Sequence, residues 1–405
     1  MATVLESQTS SESTTSPIYR SAEPVVSFEE AESLAGQFGT PLLVASRAAL
    51  MRNYDALRTS LPGVELFYAA KANPVEAILR PLCEAGSSVD VCSYGEMLAA
   101  LKAGFTPDMM IHTHPCKTEQ NLTSCYAEGL RWFTFDNANE IPKLARHAPD
   151  ASLLLRLAVS SSSSLINLSA KFGAFEPDAV PLMLAAREAG LSVRGMSFHV
   201  GSQCRAPEDF HTALVQARRI WDAAADAGIR LEVLDIGGGF PAPYRDSVLS
   251  LDVYSRSLAR ALDETFGDLT SGDLTSEKGP IRVISEPGRG MVADTMTLIT
   301  RVIGKSMRGG IPWYIIDDGL YGSFSGQMFD HVEYPLLARN AEERGLMPCV
   351  VAGPTCDSSD VVARDQELPE LEIGELLVVP TMGAYTCASA SNFNGLDLAR
   401  IIGIE

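Results

Sequence analysis

The stretch VELFYAAKANPVEAILRPLCEAGSSVDVCSYGEMLAALKAG, residues 64–104, contains the pattern that decides the fold. An apolar run, VELFYAA, precedes a helix-like segment that ends in Gly, and a second run, SSVDVC, precedes another such segment. Glycine readily adopts the left-handed conformation in which many helices end. The stretch therefore predicts two successive strand–helix units, the arrangement from which parallel sheets are built.

The same alternation continues toward the C-terminus, at intervals of roughly 22–50 residues. Eight apolar runs occupy residues 64–70, 87–92, 109–113, 130–135, 152–157, 191–200, 231–236 and 281–286. Longer amphipathic segments separate them. Eight strand–helix units favour a parallel sheet closed as a (β/α)8 barrel, and a doubly wound open sheet is the alternative.

Beyond residue 286 the pattern changes to short strand-like runs separated by Gly, Pro and Asp, such as WYIIDDG and ELLVVPTMGAY. We therefore predict an α/β barrel over 44–289 and a mainly β domain over 290–405. Residues 25–43, which include PLLVA, are expected to contribute a strand to that β domain. Residues 1–24, rich in Ser and Thr and without the features of a signal peptide, are expected to be a disordered leader.

The composition narrows the possible functions. Lys and Arg number 32 against 51 Asp and Glu, which gives a formal net charge of −19. This charge excludes nucleic-acid backbone binding as the main activity and is compatible with small basic or zwitterionic ligands. The sequence has no uninterrupted apolar window of membrane-spanning length. The eight cysteines lack zinc-like spacing, so we expect no metal site and a location in the reducing cytoplasm.

Barrel enzymes place their active sites at the C-terminal ends of the strands. In this chain the residues at those ends are polar or are glycines: Lys71, Asp90, Arg156, His199, Gly237, Gly238, Gly239, Glu286 and Arg289. Burial at the end of the first strand would lower the pKa of Lys71 and make the amine a nucleophile toward an aldehyde. A solvated strand-end lysine is the alternative interpretation.

Three other features complete a chemical pattern. The glycine run 237–239 lies where barrels bind phosphate, although a tight turn would explain it as well, and Arg289 could bind the same phosphate. Glu286 could keep a pyridine nitrogen protonated, or form a strand-end ion pair. His199 could stack on an aromatic ring, although a lone strand-end histidine is more often structural. Together with Lys71, these residues describe a site for pyridoxal phosphate.

The chain resembles the barrel-type (alanine-racemase-like, fold III) pyridoxal-phosphate decarboxylases, and within them the ornithine decarboxylases, over about residues 38–400. The resemblance rests on these motifs: FYAAKAN (67–73), VDVCSYGE (89–96), SAKFG (169–173), SFHVGS (197–202), DIGGGFP (235–241), SEPGR (285–289), DDGLYGSF (317–324), FDH (329–331), GPTCDSSD (353–360) and MGAYTCASASNFNG (382–395).

The resemblance implies a role for each matching residue. Lys71 would bind the cofactor covalently, His199 would stack on its ring, and Glu286 would contact its pyridine nitrogen. The residues expected to hold the phosphate are Ser202, Gly238, Gly239, Arg289 and Tyr385. Asp90 and Arg156 would line the cofactor.

The resemblance also implies a homodimer with shared active sites. Cys356, a lone thiol in a Gly-Pro-Thr-Cys-Asp turn, would protonate the decarboxylated carbon in the site of the neighbouring subunit. Lys171 and Asp360 match a pair that links the subunits in the family, and ordinary surface charge is the alternative for that pair.

The resemblance places Tyr321, Asp330 and Asp357 at the substrate. Two acids there suit a distal ammonium, so ornithine is the first expectation. AKAN and HVGSQ look like the diaminopimelate branch, and Gly290 replaces an aromatic residue that often follows EPGR. Lysine, diaminopimelate or an unusual basic amino acid therefore remain alternatives. The family also includes inactive regulatory homologues, which lose cofactor or catalytic residues, whereas this chain retains Lys71, His199, Glu286, Arg289 and Cys356. A racemase on the same barrel is another alternative, and the Cys356 turn argues against it.

Overall fold

The structure is a computed structural model that describes residues 19–166, 168–271 and 280–405. Most of the predicted disordered leader therefore lies outside the described residues. At its end, Tyr19–Arg20 (β1) pairs with Val248–Leu249 (β10), and Arg20 forms an ion pair with Asp294 at 3.0 Å. Tyr19 and Arg20, within the predicted leader, thus lie in a strand.

The barrel predicted from the eight apolar runs is confirmed, and the open-sheet alternative is wrong. Each of the eight runs contains one strand of a closed parallel barrel, in which the last strand pairs with the first. The barrel strands are Val64–Ala69 (β3), Ser88–Val91 (β4), Met110–His112 (β5), Trp132–Phe135 (β6), Ser152–Leu157 (β7), Ser192–Phe198 (β8), Val233–Asp235 (β9) and Arg282–Ser285 (β11).

Helices follow the barrel strands, as the amphipathic segments predict. They are Arg47–Ser60 (α2), Glu76–Glu84 (α3), Tyr94–Ala103 (α4), Glu119–Ala127 (α5), Glu140–His147 (α6), Glu176–Glu188 (α7), Glu208–Asp226 (α8), Leu251–Thr270 (α9) and Arg289–Val292 (α10), with α2 before the first strand. An apolar cluster that includes Phe67, Leu154 and Ile284 comes from several strands, as expected for the filling of a barrel. In the described part of the chain, none of the helices is long and apolar enough to cross a membrane.

A second sheet consists mainly of strands that follow the barrel along the chain, together with one strand that precedes it. Its strands are Leu42–Ser46 (β2), Met296–Arg308 (β12), Ile311–Ile316 (β13), Leu337–Ala338 (β14), Met347–Ala352 (β15), Val361–Leu368 (β16), Leu376–Val379 (β17) and Arg400–Ile404 (β18). Strand β2, from the N-terminal side of the barrel, pairs with both β12 and β18. The short helices outside the barrel are Phe28–Phe38 (α1), Gly326–Asp330 (α11) and Ala341–Arg344 (α12).

Candidate active site

The barrel brings Lys71 and Asp90 into contact. Lys71 lies in a turn directly after β3, and the register of β3 and β4 places Ala69 opposite Asp90. The Nζ of Lys71 is 3.1 Å from Oδ2 of Asp90, whose side chain is fully buried. The hydroxyl of Thr113, after the neighbouring strand β5, donates a 2.6 Å hydrogen bond to Asp90. Asp90 is therefore held between a cation and a hydroxyl donor.

These contacts correct the expected direction of the Lys71 pKa shift. Burial acts to lower the pKa of Lys71, as the sequence suggests, but the negative charges of Asp90 and Glu286 act in the opposite direction. The net pKa lies well above the ordinary value. The amine is therefore an ammonium ion paired with Asp90.

Glu286 follows β11 and forms a pair with Asp235 at the end of the adjacent strand β9. Both carboxyl groups are buried, and burial is the main cause that raises the pKa of each. The charge of Glu286 raises the pKa of Asp235 further, whereas for Glu286 the added rise comes from the charge of Asp90. Oε1 of Glu286 and Oδ2 of Asp235 are buried without a hydrogen-bond partner among the described residues. Buried carboxylate oxygens normally accept a hydrogen bond, so a ligand bound here is expected to donate one.

His199 and Arg156 lie on neighbouring strands of the same barrel end. The N–H of Gly201 donates to Nδ1 of His199 at 2.9 Å, so the neutral ring carries its proton on Nε2. Burial and the positive charges of Lys71 and Arg156 hold the pKa of His199 well below its ordinary value. The guanidinium of Arg156 lies 5.5 Å from the ring centre of Phe172. His199 is therefore neutral in the physiological range.

A cationic centre lies beside this group. The guanidinium of Arg289 donates to the hydroxyl of Ser202 at 3.1 and 3.2 Å and to that of Tyr244 at 2.8 Å. It also lies 4.5 Å from the ring centre of Tyr385 and forms a 2.7 Å ion pair with Asp330. Three of the predicted phosphate-binding residues thus meet, and Asp330, predicted to bind substrate, contacts one of them.

The glycine run separates into two roles. The N–H of Gly237 donates to Asp235 at 2.8 Å, and its carbonyl accepts from the N–H of Glu286, so these backbone groups are paired within the barrel. The N–H groups of Gly238 and Gly239 have no partner among the described residues. A Cβ at Gly238 would lie 2.4 Å from the carbonyl oxygen of Glu286, and one at Gly239 would lie 2.6 Å from that of Gly201. Both positions therefore require glycine.

A second group of predicted residues lies in the β domain. The hydroxyl of Tyr321 donates to Asp357 at 2.5 Å, and this bond lowers the pKa of Asp357. The exposed Cys356 donates its backbone N–H to Asn394 at 3.0 Å. Among the described residues, no hydrogen bond or ion pair joins this group to Lys71 or Arg289. Within the single chain, the predicted site residues thus fall into two groups that no described hydrogen bond or ion pair joins.

Asp360 has a different environment from the one expected for a subunit link. Its side chain accepts hydrogen bonds from the N–H of Leu320 at 2.8 Å and from the hydroxyl of Thr355 at 2.7 Å. Only 2% of the residue is exposed, whereas Lys171 is exposed. In this structure Asp360 therefore stabilises the turn that contains Cys356.

Sequence reasoning missed three contributors: Thr113, Tyr244 and Asp235. Asp235 could have been found, because it begins the DIGGGFP motif at a strand end. Thr113 and Tyr244 carried no comparable signal, since their roles depend on which loops come together in space.

The described residues fit pyridoxal phosphate. The unpartnered Oε1 of Glu286 could accept the pyridine N–H, and the glycine N–H groups with Arg289 and Ser202 could hold a phosphate. Lys71 lies in the same barrel end, with an amine able to bind an aldehyde. The three chemical functions of this cofactor thus each have a matching protein group.

Comparisons with known proteins agree with this chemistry. A model of the pyridoxal binding domain of the pyridoxal-dependent decarboxylases matches residues 47–293. The lysine/ornithine decarboxylase of Selenomonas ruminantium is 40% identical over 94% of this chain and 93% of its own length. A solved structure of SrLDC in complex with PLP and cadaverine matches with a TM-score of 0.86, at 40% identity over 94% of each chain.

A lysine/ornithine decarboxylase from Vibrio vulnificus, solved with putrescine, matches with a TM-score of 0.84 at 37% identity. That match covers 94% of this chain and 99% of the other. These similarities extend through both the barrel and the β domain. The chain therefore belongs to the pyridoxal-dependent decarboxylase family.

Proposed function

We propose that this pyridoxal-phosphate-dependent decarboxylase acts on a basic L-amino acid, with L-ornithine, which would give putrescine and CO2, as the first candidate and L-lysine as the second. The observation that carries the proposal is Asp330, a carboxylate only 8% exposed that lies beside the cationic centre of the cofactor site. A buried acid in that position suits a substrate with a second, distal ammonium. The lysine/ornithine decarboxylases among the relatives support the same two substrates.

Pyridoxal phosphate, when bound, supplies an aldehyde that captures the substrate amine and a ring that takes up the electrons left by departing CO2. Lys71 must lose a proton before it can attack an aldehyde carbon, and Oδ2 of Asp90 is placed at 3.1 Å to receive it. Glu286 would keep the pyridine nitrogen protonated, and the neutral His199 would contact the ring. Arg289, Ser202, Tyr385, Gly238 and Gly239 would hold the phosphate.

The proposal includes a homodimer in which Cys356 and Asp357 act in the active site of the second copy. Cys356 is exposed on its own chain, and Tyr321 and Asp357 have no described contact with Lys71. The Cys356 thiol would give its proton to the α-carbon after CO2 has left. Asp357, whose pKa is lowered by Tyr321, would stay ionised and face the distal ammonium together with Asp330.

The test is a substrate panel. The full chain is incubated with pyridoxal phosphate and, separately, with ornithine, lysine, arginine and diaminopimelate, and the released CO2 and the amine product are measured. We expect the highest kcat/KM with ornithine or lysine. A preference for diaminopimelate, which has a distal carboxylate, would overturn the role given to Asp330.

A further inference from the structure

Five consecutive serines, residues 160–164, follow the barrel strand β7, and a single carboxylate gathers three of them. We call residues 161–166 the serine loop. Asp209, near the N-terminus of α8, accepts hydrogen bonds from the hydroxyls of Ser161 at 2.8 Å, Ser162 at 2.9 Å and Ser163 at 2.6 Å. It also accepts from the backbone N–H groups of Ser162 at 3.2 Å and Ser163 at 3.0 Å. Five donors from the serine loop thus converge on one side chain that is only 7% exposed, and the thiol of Cys204 is a sixth donor at 3.6 Å.

This arrangement requires a carboxylate. An ionised Asp offers two oxygens with about four acceptor positions, whereas an Asn offers one oxygen and two N–H donors. Burial acts to raise the pKa of Asp209, but the serine hydrogen bonds lower it more, and the net pKa lies below the ordinary value. Asp209 is therefore ionised at neutral pH, and its negative charge strengthens the hydrogen bonds to the loop.

The other end of the serine loop lies directly on the segment that contains Ser202. The N–H of Leu165 donates to the carbonyl of Ser202 at 2.9 Å, and the N–H of Ser202 donates to the carbonyl of Ile166 at 3.1 Å. At Gly201 an added Cβ would lie 2.5 Å from the hydroxyl oxygen of Ser164. The loop and this segment are therefore in close backbone contact, and the position of Ser202 depends on the loop.

Ser202 in turn accepts the two hydrogen bonds from Arg289 at 3.1 and 3.2 Å. A continuous path of contacts therefore runs from Asp209 through the serine loop to the group that would hold the cofactor phosphate. Asp209 itself has no described contact with Arg289. The path through the serine loop ends at Ser202, and a second path passes through Cys204, whose thiol donates to Asp209 at 3.6 Å and whose N–H donates to the carbonyl of Gly239 at 2.9 Å.

We propose that Asp209 is a positioning residue for the cofactor phosphate, because it holds the serine loop against Ser202 and so fixes the Ser202 hydroxyl where the phosphate binds. This inference rests on the proposed assignment of the phosphate to Ser202 and Arg289. It predicts an effect that is specific to the phosphate. A general loss of packing would not discriminate between ligands with and without that group.

The experiment compares Asp209→Asn with Glu208→Gln in the full chain. Glu208 is the adjacent exposed residue in the first turn of the same helix, so its variant loses the same charge at the same helix end without a side-chain contact to the loop. Dissociation constants are measured by absorbance titration of the cofactor-free protein with pyridoxal phosphate and with phosphate-free pyridoxal. We expect Asp209→Asn to weaken pyridoxal phosphate binding by about tenfold, equivalent to about 1.4 kcal/mol. Pyridoxal binding, and both constants of Glu208→Gln, should stay close to those of the parent protein.

A second variant distinguishes a loss of positioning by the serine loop from misfolding of the Asp209 variant. Ser163→Ala removes the 2.6 Å hydrogen bond and leaves Asp209 in place, and it should produce a smaller loss with the same preference for the phosphate ligand. Hydrogen exchange of the amides in 161–166 should become faster in both variants. The proposal would be overturned if the affinities for pyridoxal phosphate and for pyridoxal fell equally. It would also be overturned if the affinity for pyridoxal phosphate stayed unchanged while the amides of the serine loop exchanged faster.

The variant Ser202→Ala separates this inference from the proposed function. If Ser202→Ala leaves pyridoxal phosphate affinity unchanged, the assignment of the phosphate is wrong, and the inference fails with it. If Ser202→Ala weakens binding but Asp209→Asn does not, only the inference fails. When both weaken binding, the double variant should lose less than the sum of the two, because both act on the same hydroxyl.

Discussion

At the scale of single residues, the charge state of Lys71 is set by its neighbours more than by its burial. Asp90 comes from the next strand and holds the amine as an ammonium, so the free enzyme stores a proton at the nucleophile. The sequence shows a lysine after an apolar run, but it does not show that strand pairing will place an acid 3.1 Å from it. This is why the position of Lys71 could be predicted and the direction of its pKa shift could not.

The first prediction concerns the identity of the nucleophile. Borohydride treatment of the protein with bound pyridoxal phosphate should fix a pyridoxyl group on Lys71, because this amine lies in the barrel end that fits the cofactor. Lys71→Ala should lose the label and nearly all turnover. Peptide mapping by mass spectrometry identifies the labelled residue. A label on Lys117, a lysine more deeply buried than Lys71, would show that the site is placed wrongly.

The second prediction concerns Asp330. Removing one partner of a desolvated charge pair costs about 2–5 kcal/mol, so Asp330→Asn should lower kcat/KM for ornithine or lysine by roughly 30- to several-thousand-fold. A neutral analogue such as 2-aminopentanoate should lose much less, since it has no distal ammonium. Because Asp330 also pairs with Arg289, the affinity for pyridoxal phosphate is measured in the same variant under the same conditions. Equal losses with charged and neutral substrates would assign Asp330 to the cofactor site alone.

At the scale of elements, the short helix α10 begins with Arg289 and depends on the glycine that follows it. A Cβ at Gly290 would lie 2.6 Å from the Cβ of Phe240 and 2.9 Å from its carbonyl oxygen. The carbonyl of Gly290 also accepts hydrogen bonds from Arg20 at 3.2 Å. In this chain, therefore, a larger residue at position 290 would clash with Phe240.

The third prediction uses this contact. Gly290→Ala should destabilise the chain by about 1–3 kcal/mol through overpacking and should weaken pyridoxal phosphate binding by shifting Arg289. Gly36→Ala is the matched control, since Gly36 lies in α1 with no atom within 4 Å of an added Cβ. The control should raise stability by roughly 0.5–1 kcal/mol. Thermal unfolding and cofactor titration measure both effects, and similar Tm changes in the two variants would contradict the overpacking argument.

The elements themselves were largely predictable, because barrel strands covered on both faces leave continuous apolar runs in the sequence. The pairing of the strands in the β sheet was less predictable. Strand β12 continues for 13 residues and pairs with β2, with β17 and, through its largely exposed second half, with β13, and the order of the apolar runs in the sequence does not show these partners. The serine loop looks in sequence like an ordinary polar connection. Its order depends on Asp209, which lies more than 40 positions away along the chain.

At the scale of the whole molecule, the two separate groups of site residues lead to the fourth prediction. Lys71→Ala and Cys356→Ala should each be inactive, but mixed subunits that exchange should recover activity. A dimer with one variant of each kind would contain one site with both residues intact, so equal mixing should restore about a quarter of the parent activity. Subunit exchange is verified with differently labelled chains. Complete exchange without recovered activity would count decisively against a shared site.

The closure of the barrel has a consequence for synthesis of the protein. The last barrel strand pairs with the first, with Val283 opposite Val64, and the groups that fit the cofactor come from both sides of that seam. Lys71 is made early, whereas Glu286 and Arg289 leave the ribosome more than 200 residues later. A nascent chain that ends before the seam forms has no complete cofactor site, so capture of pyridoxal phosphate can occur only after most of the polypeptide has emerged. Cofactor capture would therefore report on barrel closure.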